Sequence, residues 1–181
     1  MVIEINNLTA VFLDKKLLLG IAKKTLKEAK IKGEVELSIV FVGRTRIKEI
    51  NKRYRGKNRV TDVLSFSEPK DLRTKFQVGP RKRIQNLGEI VICPNEVKKN
   101  ARRFTPLGTI EARKKHKESK SLTGFSSAFK RELTKVLIHG ILHLLGYDHE
   151  EDEQKAKKMQ KKERRYLFQL TNSQKRRSVK A

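Results

Sequence analysis

The chain has 181 residues, with 44 Lys or Arg against 20 Asp or Glu, a net charge of +24 and a pI near 10.4. That length accommodates one domain with a sizeable core, and the charge directs attention to polyanions, nucleic acid before anionic membrane. Membrane is the weaker expectation, because no apolar run approaches the roughly 20 residues of a spanning helix and Met1-Val2-Ile3-Glu4 does not open like a signal peptide; the one cysteine, Cys93, excludes an internal disulfide and fits a reducing cytoplasm.

In chain order, Val2 to Ile5 alternates apolar and polar residues and predicts a short strand. Asp14 to Ile31 has leucines and isoleucines at helical spacing, with Gly33 as a stop. Val35 to Val42 is a strand closed by Gly43, and Thr45 to Tyr54 is a basic helix with Ile47 and Ile50 inward. Val63 to Phe66 and Leu87 to Cys93 are strands, Cys93 itself reading as a small buried hydrophobe. Pro94 opens a helix running toward Phe104. Phe104 to Phe125, with Pro106 and Arg113-Lys114-Lys115, reads as a basic loop, the insertion proper being 107–124. His116 lies within it and reads as a solvated surface residue. Ser127 to Leu145 places Phe129, Leu133, Val136, Leu137 and Leu144 on a core stripe, and a last amphipathic helix runs from about Glu150 to Leu170. Thr171 to Ala181, with Lys175-Arg176-Arg177, is expected to be a disordered basic tail. Four strands and about five helices predict a single α+β domain over 1–170: a small mixed sheet covered by helices, with the histidine-bearing helix in the core.

That helix ends in His139-Gly140-Ile141-Leu142-His143-Leu144-Leu145-Gly146-Tyr147-Asp148-His149, which holds three of the four histidines of the chain. Residues four apart on a helix share a face, so the His139 and His143 imidazoles project together. A glycine at Gly146 can end the helix in a left-handed turn, and the returning chain can carry His149 to the same point. Three neutral imidazoles with a fourth position for water describe a catalytic zinc rather than a sealed structural one. The frame H-x-x-x-H-x-x-G-x-x-H matches the metzincin protease signature at every ligand, but Gly140 stands where those proteases have their glutamate base. Gly140 is expected, on size alone, to leave room beside the metal for a phosphodiester.

This histidine run resembles the signature of the YbeY family, bacterial metal-dependent endoribonucleases. A second block, Asn51, Tyr54-Arg55-Gly56-Lys57 and Thr61-Asp62-Val63-Leu64-Ser65-Phe66, is similar to the family's asparagine, tyrosine-arginine-glycine and T-D-V-L-S-F pattern. A third, Leu87-Gly88-Glu89-Ile90-Val91-Ile92-Cys93, resembles its G-D-I-V-I-C strand. The resemblance covers roughly residues 35 to 170. Val60 replaces a usual proline, Glu89 a commoner aspartate, and the 104–125 segment is longer than the family's connection.

The resemblance implies a single-strand-specific, zinc-bound ribonuclease in ribosomal RNA maturation and ribosome quality control. It implies one zinc per chain on His139, His143 and His149, with Arg55 as the functional arginine. Ribosomal RNA of the small subunit and a ribosome-associated GTPase are the partners it implies, in the cytoplasm. The chemistry is coherent: zinc acidifies water and polarises a phosphoryl oxygen, and an arginine fork stabilises the charge of a five-coordinate phosphorus. The nucleophile is either water or the 2′-hydroxyl of the RNA. Asp148 either shuttles a proton or orients a ligand imidazole, the latter being the expected role. Lys52, Arg53, Lys57 and Arg59, with Arg44 and Arg46, are expected to hold phosphates, and the low aromatic content predicts recognition by backbone and shape. Two other classes stay open: a non-catalytic ribosome-assembly factor with a structural zinc, and a protease-like metallohydrolase.

Overall fold

The computed structural model describes residues 1–31, 33–69, 84–103, 127–147 and 153–178. Four strands, β1 (Val2–Asn7), β2 (Glu34–Phe41), β3 (Val63–Ser67) and β4 (Ile84–Ile92), form one sheet in the order β1-β2-β4-β3. β1 and β4 both run parallel to β2, and β3 pairs antiparallel with β4, from Val63 opposite Ile92 to Ser67 opposite Gly88. The described residues contain five helices: α1 (Lys15–Glu28), α2 (Arg44–Arg55), α3 (Pro94–Arg103), α4 (Ser127–Leu144) and α5 (Glu153–Ser178). The expected mixed sheet and its helical cover are therefore present, as one α+β unit.

Period-two alternation decides which side of the sheet each helix covers. Val35, Leu37, Ile39 and Phe41 of β2 are fully buried on one face, where Leu87, Ile90 and Ile92 of β4 join them. α1 brings Leu18, Ile21, Ala22 and Leu26 to that core, and α4 brings Phe129, Leu133, Val136, Leu137, Ile138 and Ile141. Met159, Tyr166 and Leu170 of α5 close it. The opposite face is smaller: Ile47 of α2 lies with Val42, Leu64, Val91 and Cys93, and Ile50 packs against them. Cys93 is buried as expected, and burial pushes its thiol above the ordinary value of 9.0.

Helix limits follow local chemistry. Asp14 caps α1 by accepting from the Leu17 amide at 3.0 Å. α1 stops at Glu28, earlier than the Gly33 signal implies, because Lys30 already takes a left-handed φ of 55°. α2 ends at Gly56 (φ 67°), whose N–H bonds the Lys52 carbonyl at 3.1 Å. Lys52, Arg53 and Arg55 sit in that last turn, where cations complement the helix dipole. α5 differs from expectation at its far end. It runs through Ser178 instead of yielding to a disordered tail at Thr171, since Gln174, Lys175, Arg176 and Arg177 are all good helix formers. Residues 179–181 and the expected 107–124 insertion, including His116, lie outside the described residues. No helix among the described residues is long and apolar enough to cross a membrane.

Candidate active site

α4 lies across the sheet with its buried face almost wholly apolar, and its last two turns carry His139 and His143. The two Nε2 atoms face each other at 3.1 Å, with ring centroids 4.6 Å apart and the planes at 76°. The helix ends as the glycine predicts. Gly146 is left-handed (φ 86°), its N–H bonds the His143 carbonyl at 2.9 Å, and the Tyr147 N–H reaches back to the Leu142 carbonyl at 3.0 Å. This pair of bonds is the Schellman arrangement, which satisfies the terminal carbonyls and ends the helix. Asp148 and His149 follow immediately and lie outside the described residues. Among the described residues no group of three metal-ligating side chains converges.

The imidazole pair nevertheless has the chemistry of a divalent transition-metal site. Glu163 Oε1 lies 2.5 Å from His139 Nδ1, and a carboxylate only accepts, so the ring hydrogen belongs on Nδ1. That leaves His139 Nε2 as a lone-pair donor pointed at His143. Two imidazole nitrogens 3.1 Å apart suit a shared ion at Zn–N distances of about 2.0–2.1 Å. Composition and motif reading do not name Glu163. The signal that could have found it is its position: an acid on the inward stripe Met159, Glu163, Tyr166, Leu170.

Both histidines open into a cleft of about 560 Å³ whose walls include Tyr54, Arg55, Thr61, Phe66 and Leu144. Arg55 thus shares a cleft with the proposed ligands, although 84 positions separate it from His139. Several contacts fasten the segments that flank it in the cleft wall. Asn51, buried in α2, donates from Nδ2 to the Arg59 carbonyl at 2.7 Å and holds the loop after Arg55 against its own helix. The Cys93 amide bonds the Asp62 carbonyl at 2.8 Å, and Asn100 donates to Asp62 Oδ2 at 3.1 Å, so β4 and α3 fasten the start of β3. Tyr54 meets Phe66 edge-on, with ring centroids 5.3 Å apart, and forms the cleft rim. A second cleft, of about 550 Å³ and bounded by Glu132, Lys135, Glu163 and Arg164, adjoins His139 on the α5 side.

The expected phosphate-binding cations divide into two groups. Lys52, Arg53, Lys57 and Arg59 are exposed but do not line the histidine cleft; the Arg53 guanidinium lies 5.6 Å from the Tyr54 ring centroid. Arg44 pairs with Glu96, which Lys99 also approaches at 3.6 Å, and Arg46 approaches Glu49 at 3.4 Å. These last two arginines join neighbouring side chains.

The expectation for Gly140 is overturned. A Cβ at this position would meet Ile90 Cγ2 at 2.9 Å and Ser65 Oγ at 3.2 Å, and Ser65 Oγ already donates to the Gly140 carbonyl at 3.2 Å. The absent side chain makes room for the sheet, not for substrate. Gly140 is what lets α4 lie close enough to β3 and β4 to bring its histidines to the cleft containing Arg55.

A small α+β domain with a histidine-bearing helix beside a cleft that Arg55 also lines is the class these features define. The family model described as Endoribonuclease YbeY matches residues 4–171, and the chain belongs to that family. It is 34% identical to the endoribonuclease YbeY of Thermotoga maritima over 138 residues, 76% of this chain and 69% of the relative. The Petrotoga mobilis endoribonuclease YbeY is 34% identical over 164 residues, 91% of each chain. The solution structure of TM1509 from Thermotoga maritima superposes with a TM-score of 0.54 at 29% identity, covering 99% of this chain and 95% of that one.

Proposed function

We propose that the chain is a metal-dependent endoribonuclease that cleaves single-stranded RNA, with ribosomal RNA of the small subunit as its substrate in maturation and quality control. The observation that carries this reading is the convergence of two imidazole Nε2 atoms, 3.1 Å apart, in the cleft that Arg55 also lines. His139, His143 and His149 would hold one zinc ion per chain. When bound, such an ion supplies Lewis acidity toward a phosphoryl oxygen and lowers the pKa of water toward neutrality.

The remaining work belongs to the protein. Arg55 meets the phosphodiester as a two-pronged donor and offsets the extra negative charge that develops at phosphorus. Lys52, Arg53, Lys57 and Arg59, outside the cleft, attract the flanking phosphates. Asp148 orients a ligand imidazole. The attacking oxygen is that of water or of the substrate's 2′-hydroxyl. A ribosome-associated GTPase is a partner by family analogy, and the cytoplasm is the compartment in which ribosomal RNA is met. A protease-like mechanism lacks its base: position 140 is a glycine against the sheet, from which no carboxylate reaches the cleft without displacing Ile90 and Ser65.

Cleavage of a labelled single-stranded RNA by the purified chain, with chelator and then with zinc restored, tests the proposal. Chelation should abolish cleavage and zinc should restore it. His143→Ala should lose both metal and activity, while Arg55→Ala should keep metal and fold but lose at least 100-fold in rate, roughly the loss when one transition-state donor is removed. Arg55→Lys should recover only part, because a point charge cannot copy the fork. Full activity in Arg55→Ala, or cleavage indifferent to chelator, would defeat the assignment.

A further inference from the structure

Glu163 has no role in the family resemblance drawn from the histidine motif, yet its surroundings are unusual for an acid. It occupies the inward stripe of α5 with Met159, Tyr166 and Leu170, which are 1%, 4% and 7% exposed. Its own side chain is 13% exposed, against 82% for Glu153 on the same helix. A carboxylate on a buried stripe is costly unless a specific partner compensates it. The partner is His139 Nδ1 at 2.5 Å, on a different helix and 24 positions away.

We propose that Glu163 is a positioning residue that fixes the tautomer and aim of the His139 imidazole, and that through it the metal site clamps α5 onto α4. The carboxylate accepts the Nδ1 hydrogen, so the ring presents a bare Nε2, and the short contact sets its rotation toward His143. The neighbouring residue reinforces the grip. Lys162 Nζ lies 4.7 Å from the Tyr147 ring centroid, a cation over an aromatic face in the turn that follows α4. α5 therefore holds a proposed ligand in α4 with one residue, and the turn leading toward His149 with the one before it. Coupling free energies are reciprocal: if α5 orients the ligand, an ion on that ligand must stabilise the docked α5 by the same factor. The inference rests on the reading of His139 as a metal ligand and is independent of which RNA is cut.

The full chain, stripped of metal and titrated with zinc against a chromophoric chelator, measures the coupling directly. Glu163→Ala should weaken zinc affinity by roughly 10- to 100-fold, the usual cost of losing such a carboxylate. Glu163→Gln keeps shape and an accepting oxygen without the charge, so it should lose less. It also carries the test should the alanine variant fail to fold. In parallel, zinc should slow hydrogen exchange at α5 amides around Met159 to Leu167 in the wild-type chain, and this zinc-dependent protection should vanish in Glu163→Ala and shrink in Glu163→Gln, in step with the loss of affinity. A purely structural Glu163 would lower metal-free thermal stability and leave zinc affinity unchanged. Wild-type affinity in both variants overturns the proposal, as does wild-type zinc-dependent protection in a folded Glu163→Ala chain or, should that variant fail to fold, in Glu163→Gln. A wild-type chain that takes up no zinc overturns the metal reading itself, and that result is visible before any variant is made.

Discussion

Gly140 shows how one side chain, by its absence, sets the distance between two elements. In the metalloprotease frame this position carries the general base, which makes a glycine look like a catalytic vacancy. Its surroundings are those of a helix lying on a sheet: Ile90 and Ser65 fill the space a Cβ needs, and Ser65 bonds the glycine carbonyl. Gly140→Ala should therefore destabilise the fold. Overpacking at a tight core contact costs about 1–3 kcal/mol, and the roughly 1 kcal/mol gained in helix propensity offsets only part of it. A urea titration should show a lower midpoint with an unchanged slope. A midpoint at or above that of the wild-type chain would mean that Ile90 gives way freely and that the contact does not set the helix position.

Between elements, much of the layout was legible because period and punctuation agree. Alternation in Val35 to Val42, the apolar stripe of Ser127 to Leu145 and the glycine after α4 each have a local cause that the tertiary structure leaves in place. Legibility fails where the cause is distant. Nothing near Glu163 indicates that His139 faces it, and nothing near Gly140 indicates Ile90. The end of α5 was misplaced because the apolar stripe stops near Leu170, whereas helical propensity continues to Ser178. Asn51 is an intermediate case: it stands out as a motif residue, but only the structure gives its task, which is to tie the loop following Arg55 back to α2. Asn51→Ala removes a buried donor and leaves the Arg59 carbonyl without it. A loss of about 1–3 kcal/mol in stability is expected. RNA cleavage should suffer chiefly in KM, because the loop carrying Lys57 and Arg59 loses its anchor while Arg55 stays on the helix. Loss in kcat alone, with KM unchanged, would place the effect at the chemistry and not at substrate docking.

For the molecule as a whole, an excess of 24 positive charges makes a field that any polyanion feels, so the question is which cations contact phosphate and which only contribute to the field. The structure separates candidates. All six are exposed, but Arg44 and Arg46 form ion pairs with Glu96 and Glu49, whereas Lys52, Arg53, Lys57 and Arg59 lie around the C-terminal end of α2, next to the helix position that delivers Arg55 to the cleft. If the exposed group binds the substrate backbone, each contact releases counterions, and log affinity falls linearly with log salt. For single-stranded RNA each contact adds about 0.7 to that slope. Replacing Lys52, Arg53, Lys57 and Arg59 by alanine one at a time should reduce the slope by about 0.7 wherever a true phosphate contact is lost. The replacements should weaken binding to unrelated sequences equally and leave metal content unchanged. Arg46→Ala, which removes one unit of charge at a site already beside Glu49, is the matched control and should change the slope much less. Binding measured by fluorescence anisotropy over a range of salt concentrations distinguishes the two cases. Equal slopes for the wild-type chain and all four variants would show that these cations act only through the general field. RNA capture would then fall to the rim of the cleft and to Arg55 itself.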